Sequence, residues 1–157
     1  MLSKKSLSKS ILAKSKNWIS FKRTVDVLDN KTKGDAFEDL AQHFFQIDPK
    51  YRTKLKNVWN VNKREVPSRI NRKLNLFSLD LGIDLLAETT EGEFWAIQCK
   101  YHSDQSKSLT KSEIDSCMNL AFGHCEGISL AVVCTSAEKY SRNLRGFAEE
   151  KLTYCDG

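Results

Sequence analysis

Two neighbouring segments carry side chains whose types and spacing suit metal-assisted hydrolysis. Asp84 lies in the first segment, and Gln98 and Lys100 lie two residues apart in the second. A carboxylate and an amide oxygen are ligands that Mg²⁺ accepts, and the backbone carbonyl of Cys99 offers a third oxygen. An ammonium beside them can hold the attacking water or stabilise the charge that develops on a phosphate. The residues therefore predict divalent-metal hydrolysis of a phosphodiester.

The elements that carry these residues are predicted to be two adjacent strands. Apolar residues alternate with Asp80, Gly82 and Asp84 over 79–87, and they alternate again over 93–101, which is typical of strands. Thr90-Glu91-Gly92 between them has the composition of a three-residue hairpin loop. With this loop length, Asp84 lies opposite Gln98, and Lys100 leaves the strand on the same face as Gln98.

A helix before the strands supplies a further carboxylate. The apolar residues of this segment recur at the spacing of one helix face: Phe37, Leu40, Ala41, Phe44 and Phe45. They predict a helix from Gly34 to about Ile47, where Asp48-Pro49 ends it. Glu38 lies at the edge of the apolar stripe, from which its carboxylate can point along the sheet.

The remaining segments complete an α-β-β-β-α-β-α order. Residues 58–61 predict a short strand, and 62–75 a long basic loop. A capping box of Thr110 and Glu113 begins a helix that Gly123 ends. The apolar run 128–135 predicts a buried parallel strand, and Thr135, Tyr140 and Leu152 belong to a predicted final helix. An antiparallel hairpin followed by a crossover predicts an α/β fold with a mixed sheet.

Length and composition are those of one folded domain with a basic N-terminus. The chain has 157 residues, 40% of them hydrophobic, and a formal net charge of +5. No acidic residue precedes Asp26. We expect residues 1–32 to form a basic, solvated N-terminal arm or linker, partly helical, and 33–157 to form the domain. The apolar stretches of the arm are too short to cross a membrane.

Cysteine usage predicts a reducing, cytoplasmic location. The five cysteines form an odd number and contain no CxxC pair. A zinc site is an alternative use for some of them, although the spacing matches no standard ligand pattern. Its candidate ligands are Cys99, His102, Cys117, His124 and Cys125.

Basic residues after the first helix predict contact with nucleic acid. The candidates for phosphate contact are Lys63, Arg64, Arg69, Arg72 and Lys73, with Lys107 further along the chain. We expect contact with phosphates rather than with base edges. A solvated loop is the alternative for the stretch, and a cross-strand ion pair between Asp84 and Lys100 is the structural alternative for the site itself.

The strings around these residues resemble a known family. Residues 80–86, Asp-Leu-Gly-Ile-Asp-Leu-Leu, and 94–101, Phe-Trp-Ala-Ile-Gln-Cys-Lys-Tyr, resemble the D…QxK core of Mrr-like PD-(D/E)xK restriction endonuclease domains. The resemblance extends over roughly 33–157. It implies a three-layer restriction-endonuclease-like core, with a central mixed β-sheet flanked by helices.

The resemblance also implies a site. Asp84 is then the central metal ligand, Gln98 replaces the commoner glutamate, and Lys100 is the family's lysine. Glu38 corresponds to an acid on the first helix that acts through water or a second metal, and Asp80 is a supporting acid. The implied cofactor is Mg²⁺, which Mn²⁺ can replace.

The implied activity is that of an endodeoxyribonuclease in a restriction system. The similarity extends to the nuclease domains at the N-termini of helicase-containing restriction enzymes. It implies DNA as substrate, a fused or associated helicase or translocase as partner, and a homodimer for double-strand cleavage. A non-catalytic DNA-binding module of a larger machine is the alternative, and net charge alone leaves an RNA-processing nuclease open.

Overall fold

The computed structural model describes residues 4–76, 82–104, 106–137, 139–140 and 152–156. Within these ranges the helices are α1 (Lys4–Lys14), α2 (Trp18–Val25), α3 (Asn30–Ile47), α4 (Pro49–Arg52), α5 (Ser68–Lys73) and α6 (Lys111–Asn119), which continues into a π-helical turn (Leu120–His124). The strands are β1 (Leu55–Asn60), β2 (Leu85–Thr89), β3 (Phe94–Lys100), β4 (Ser108–Leu109), β5 (Ile128–Thr135), β6 (Lys139–Tyr140) and β7 (Leu152–Asp156).

A mixed sheet forms the middle layer. Its strand order is β1-β2-β3-β5-β7, and β4 pairs with β6 separately. The pairs β1–β2 and β2–β3 are antiparallel, whereas β3–β5 and β5–β7 are parallel. Helices cover both faces, so the predicted three-layer α/β core with a mixed sheet is confirmed.

The first face of the sheet packs against α3. Buried residues of α3, including Phe37, Ala41 and Phe45, form one cluster with Ile97 and Val132 of the strands. The helical spacing of these α3 residues is what turns them all toward the sheet. Asp29 caps the helix by accepting a 3.0 Å hydrogen bond from Thr32 N, so α3 begins four residues before the predicted start at Gly34. It ends at Ile47, as predicted.

The N-terminal helices belong to the same core. Ile11 of α1 and Phe21 and Val25 of α2 are buried in the cluster on α3. Asn17 and Ser20 form a reciprocal capping box at the start of α2. Both N-terminal helices therefore pack on the domain through these buried residues, whereas their basic composition predicted a solvated arm. The boundary between 32 and 33 remains a prediction.

The second face of the sheet packs against α5 and α6. Leu86 and Phe94 contact Ile70 and Leu74 at α5, and Ala96 packs with Cys117 of α6. The predicted loop 62–75 thus contains a short helix. Its apolar residues lie four apart in a strongly basic segment, which is too short a pattern to stand out in the sequence.

The C-terminal elements differ from the prediction beyond Thr135. Strand β5 has the predicted bounds, but Tyr140 lies in β6 and Leu152 in β7, where a single helix was expected. The predicted helix centre, 141–150, lies outside the described residues. Residues 77–81, including Asp80, also lie outside them, and β2 begins at Leu85. No helix in the described ranges is long and apolar enough to cross a membrane.

Candidate active site

Asp84 is fixed between β1 and β3. Its backbone N donates to Ile97 O at 2.9 Å, and its carbonyl accepts from Val61 N at 2.9 Å. Its carboxylate Oδ2 accepts a 2.7 Å hydrogen bond from Cys99 N. The β2–β3 register pairs Leu85 with Ile97. Asp84 directly precedes β2, and its N–H and its carboxylate both bond to the Ile97–Cys99 segment of β3, which contains Gln98.

The hairpin loop has the geometry that its composition predicts. Thr89 N donates to Glu93 O at 2.8 Å, so Thr90, Glu91 and Gly92 form the loop between the two strands. Gly92 has a φ of 84°, in the left-handed region that favours glycine. The loop therefore sets the β2–β3 register, in which Leu85 pairs with Ile97.

Gln98 offers a buried oxygen at this position. Its side chain is 2% exposed. Among the residues that the structure describes, Gln98 Oε1 is buried without a hydrogen-bond partner. A buried carbonyl oxygen that accepts nothing is costly unless another group satisfies it. A divalent cation is one such group, because it is coordinated by oxygen atoms.

Lys100 approaches the same region from the end of β3. Burial, and then the charge of Asp84, raise the pKa of the Cys117 thiol in α6 to about 12, although the charge of Lys100 opposes the shift. Asp84 and Lys100 are therefore both within electrostatic range of one buried thiol. Two residues beyond Lys100, His102 Nε2 lies 3.1 Å from Glu113 Oε1 of α6. Gln98, Lys100 and His102 thus share the face of the sheet that α6 covers.

Glu38 reaches the site from α3, on the other side. Asn62 Nδ2 donates to Glu38 Oε1 at 3.3 Å and to Asp84 Oδ1 at 3.4 Å, and so links the two carboxylates. Asn60 Nδ2 donates to Glu38 Oε2 at 3.3 Å. Burial, and then the charge of Asp84, raise the pKa of Glu38 to about 7, although both asparagines oppose the shift. The two acids are close enough to repel each other.

Asn60 and Asn62 were not predicted as site residues. Asn60 is fully buried at the end of β1, and its backbone N donates to Glu65 Oε2 at 2.9 Å. The available signal was the pair of amides two residues apart at the end of a strand, directly before the basic segment. Polar residues at a strand end are common, so no sequence pattern connects them to Glu38.

The assembled groups fit a hard divalent cation. Glu38 and Asp84 supply carboxylates, and Gln98 supplies an oxygen without a described partner. Because N–H and C=O of one residue leave an extended strand toward the same neighbour, the Cys99 carbonyl is directed to the side on which its N–H meets Asp84. All four are the oxygen ligands that Mg²⁺ prefers.

Comparison with known families decides what kind of domain carries this site. The model of an Mrr-type restriction endonuclease family matches residues 46–153, which is more than half of the chain. The chain belongs to the Mrr-like restriction endonuclease family. The matched range contains Asp84, Gln98 and Lys100, whereas Glu38 precedes it.

A solved structure shares the fold of this Mrr-like endonuclease domain. It is described as the ATP-dependent Type ISP restriction-modification enzyme LlaBIII bound to DNA, with a TM-score of 0.61 and 23% sequence identity. The alignment covers 81% of this chain and 8% of that one. At this identity the likeness shows the fold. A search of curated proteins found no match.

The predicted DNA-contacting residues lie at three places in this Mrr-like domain. Lys63 is paired with Asp39, and Arg64 is exposed with a φ of 56°. Lys107 is exposed in the turn after β3. A third group is exposed on α5 and consists of Arg69, Arg72 and Lys73. The Lys73 ammonium lies 5.1 Å from the centroid of the Phe94 ring. Lys63 is thus engaged within the domain.

The α5 group lies apart from the carboxylates. Phe94, which α5 covers, precedes Gln98 by four residues, about 13 Å along the strand. DNA in contact with Arg69 and Arg72 would therefore be held away from the bond next to Asp84.

The cysteines of this Mrr-like domain give the zinc alternative no support. Four of them, Cys99, Cys117, Cys125 and Cys134, form no disulfide bond. In the parts of the chain that the structure describes, no three His, Cys, Asp or Glu side chains form a group that could hold a metal ion. A cation at the site described above would use Gln98 and a backbone carbonyl beside its two acids.

Proposed function

We propose that this chain is a Mg²⁺-dependent endodeoxyribonuclease that hydrolyses DNA phosphodiester bonds, with Asp84, Gln98 and Lys100 at the centre of its active site. The single observation that carries the proposal is the buried Gln98 Oε1, which has no described hydrogen-bond partner. Gln98 directly precedes Cys99, whose N–H donates to the Asp84 carboxylate, and Asn62 links that carboxylate to the carboxylate of Glu38. Membership of a restriction endonuclease family agrees with this chemistry.

The proposed roles follow from the contacts. Mg²⁺, or Mn²⁺ in its place, would polarise the phosphate and favour ionisation of water. Asp84, Gln98 and the Cys99 carbonyl would hold the cation, and Glu38 would hold it through water. The Cys99 N–H bond keeps Asp84 Oδ2 in place before substrate arrives.

Lys100 would act on the phosphate and the water. It lies two residues beyond Gln98 on the same face. Its positive charge and the negative charge of Asp84 both act on the buried thiol of Cys117. An ammonium group donates hydrogen bonds and accepts none. At this position it can donate either to the attacking water or to a phosphate oxygen. Donation to the oxygen that gains charge lowers the barrier. Asp80 stays a proposed supporting acid.

DNA would be bound mainly through its phosphates. Arg64, Arg69, Arg72 and Lys107 are exposed and basic, and Lys73 lies beside them on α5. Lys63 would contribute only if its pairing with Asp39 opened. Such contacts give affinity without sequence preference.

The wider setting is also proposed. The fold is shared with an ATP-dependent enzyme that is described as bound to DNA, which supports a fused or associated helicase or translocase. Cutting both strands needs two sites, and a homodimer would supply them. Cysteines that form no disulfide bond support a cytoplasmic location.

The test is Lys100→Ala, assayed by nicking of supercoiled plasmid in Mg²⁺. We expect the rate to fall by about a hundredfold or more, with affinity for labelled duplex DNA in EDTA retained. Lys14→Ala, at the exposed end of α1, is the matched control and should nick as the unaltered protein does.

The other outcomes separate the alternatives. If Lys100→Ala nicks at the original rate, Lys100 has no part in the reaction. If the unaltered protein binds duplex DNA but never cleaves it in Mg²⁺ or Mn²⁺, the chain is a non-catalytic DNA-binding module. Stronger competition by RNA than by duplex DNA for cleavage would assign an RNA substrate.

A further inference from the structure

The end of β3 turns one residue toward each face of the sheet. Lys100 faces α6, and the next residue, Tyr101, faces α2 and α3. The Tyr101 ring lies between two aromatic rings, with centroid distances of 5.5 Å to Phe37 and 6.3 Å to Trp18. The backbone that carries Lys100 therefore continues directly into a residue held by the N-terminal helices.

The Tyr101 hydroxyl makes a specific contact with α2. It donates a 2.6 Å hydrogen bond to Oδ1 of Asp26, the residue that ends α2. Lys22 Nζ donates to Asp26 Oδ2 at 2.5 Å and to the Ser103 carbonyl at 2.5 Å. Asp26 thus holds Tyr101 and Lys22 holds Ser103, the two residues on either side of His102.

The charges in this contact are consistent with an ionised Asp26. Burial raises its pKa, but the hydrogen bonds from Lys22, Tyr101 and Ser103 and the charge of Lys22 together lower it more, and the net shift is downward. Burial, and then the bond to Asp26, raise the pKa of Tyr101, so its hydroxyl keeps the proton that it donates. A bond from a neutral hydroxyl to a carboxylate is among the stronger hydrogen bonds in proteins.

The other side of this strand end is held separately. Thr135 Oγ1 donates to the Lys100 carbonyl at 3.1 Å, and Ser136 Oγ accepts from His102 N at 2.7 Å. These bonds tie the backbone to β5 within the plane of the sheet. The Tyr101 hydroxyl acts across that plane, so its loss would leave the sheet pairing intact and release the strand end in one direction.

We propose that Tyr101 is a positioning residue for the nuclease reaction, which sets the Lys100 ammonium through its hydrogen bond to Asp26. The inference rests on the proposed function, because it needs Lys100 to act on the phosphate. It gives α2 a part in catalysis although α2 contributes no reacting group. A small displacement of a catalytic group can lower a rate by one to two orders of magnitude.

The experiment is a double-mutant cycle on the nicking rate at saturating protein and Mg²⁺. Tyr101→Phe keeps the ring and removes the hydroxyl, and Asp26→Asn keeps an acceptor and removes the charge. We expect Tyr101→Phe to lower kcat by between about tenfold and a hundredfold, with DNA affinity unchanged within about twofold. The double variant should lose no more than the larger of the two single losses, because both changes act on one contact.

A matched control removes a hydroxyl elsewhere. Tyr51→Phe alters a buried aromatic residue of α4 and should leave kcat unchanged. Unchanged kcat for Tyr101→Phe would overturn the inference, as would losses in the two variants that multiply in the double variant. If Tyr101→Phe unfolds, Lys22→Met replaces it as the probe, and unchanged kcat there has the same meaning. Failure of the unaltered protein to cleave DNA contradicts the proposed function instead.

Discussion

At the scale of single residues, Glu38 combines two roles that oppose each other. As a carboxylate it is suited to hold a cation, but burial and the charge of Asp84 disfavour that carboxylate when no cation is bound. Its hydrogen bonds from Asn60 and Asn62 are long, at 3.3 to 3.4 Å, and compensate only in part. The site therefore lowers the stability of the metal-free protein.

Glu38→Gln should stabilise the metal-free protein at high pH. The pKa of Glu38 is raised from 4.5 to about 7, so the folded protein keeps a proton that the unfolded chain has lost. The free energy of unfolding therefore falls as pH rises from about 4.5 to about 7, and it stays low above. Thermal unfolding in EDTA at pH 8 should show the variant more stable by about 2 kcal/mol.

The pH dependence supplies the internal check on that variant. Below about pH 4.5 both forms of the protein carry a neutral side chain at position 38, and the difference should vanish. Glu91→Gln, in the exposed hairpin loop, is the control and should change stability at neither pH. A Glu38→Gln variant less stable than the parent at pH 8 would show that burial does not disfavour the carboxylate.

At the scale of elements, the sequence predicts the helices and strands whose apolar periodicity extends over many residues. Strands β3 and β5, the hairpin loop and the C-terminal end of α3 all agree with expectation, and β3 carries both Gln98 and Lys100. The alternation along β3 decides which residues share a face before any tertiary contact is known. That part of the site could therefore be predicted.

The elements that were missed are short or have mixed composition. In α2, two buried residues, Phe21 and Val25, lie among lysine, arginine and polar residues, so charge masks the apolar spacing. In α5 the helix has six residues. Asn62 acts on Glu38 and Asp84 only because α3 and β1 pack together, which a local pattern cannot show.

Phe21→Ala tests whether α2 is part of the folded core. Phe21 is 1% exposed, so its truncation should leave a cavity and lower the free energy of unfolding by about 3 to 4 kcal/mol. Ile19→Ala, in the same helix but 68% exposed, should cost less than about 0.5 kcal/mol. Chemical denaturation measures both values. A small effect of Phe21→Ala would mean that the N-terminal helices are not packed in solution.

At the scale of the whole molecule, the arginines exposed on α5 lie apart from the carboxylates of the site. The carboxylates of Glu38 and Asp84 lie at one end of the sheet, and Arg69 and Arg72 are exposed on α5 further along β3. Binding and cleavage should therefore be separable by mutation. The net charge of +5 is a sum over the chain and does not show where the basic residues lie.

Replacement of Arg69 and Arg72 together by alanine should weaken duplex DNA binding in a salt-dependent way. Loss of two phosphate contacts should reduce the slope of log affinity against log salt by about 2, with kcat at saturating protein retained. Fluorescence anisotropy over a salt series measures the slope. The matched control, Lys14→Ala with Arg23→Ala, removes two charges from the N-terminal helices. An equal loss in both double variants would indicate general charge attraction rather than contact through α5.

The measurement that tests the central claim most directly is a crystal structure of the protein in Mn²⁺, with anomalous diffraction to locate the ion. We predict an anomalous peak within about 2.5 Å of both an Asp84 carboxylate oxygen and Gln98 Oε1, absent from crystals of Asp84→Asn. Gln98 Oε1 would then have the partner that none of its described neighbours supplies. A protein saturated with Mn²⁺ that shows no peak between these two oxygens would contradict the account.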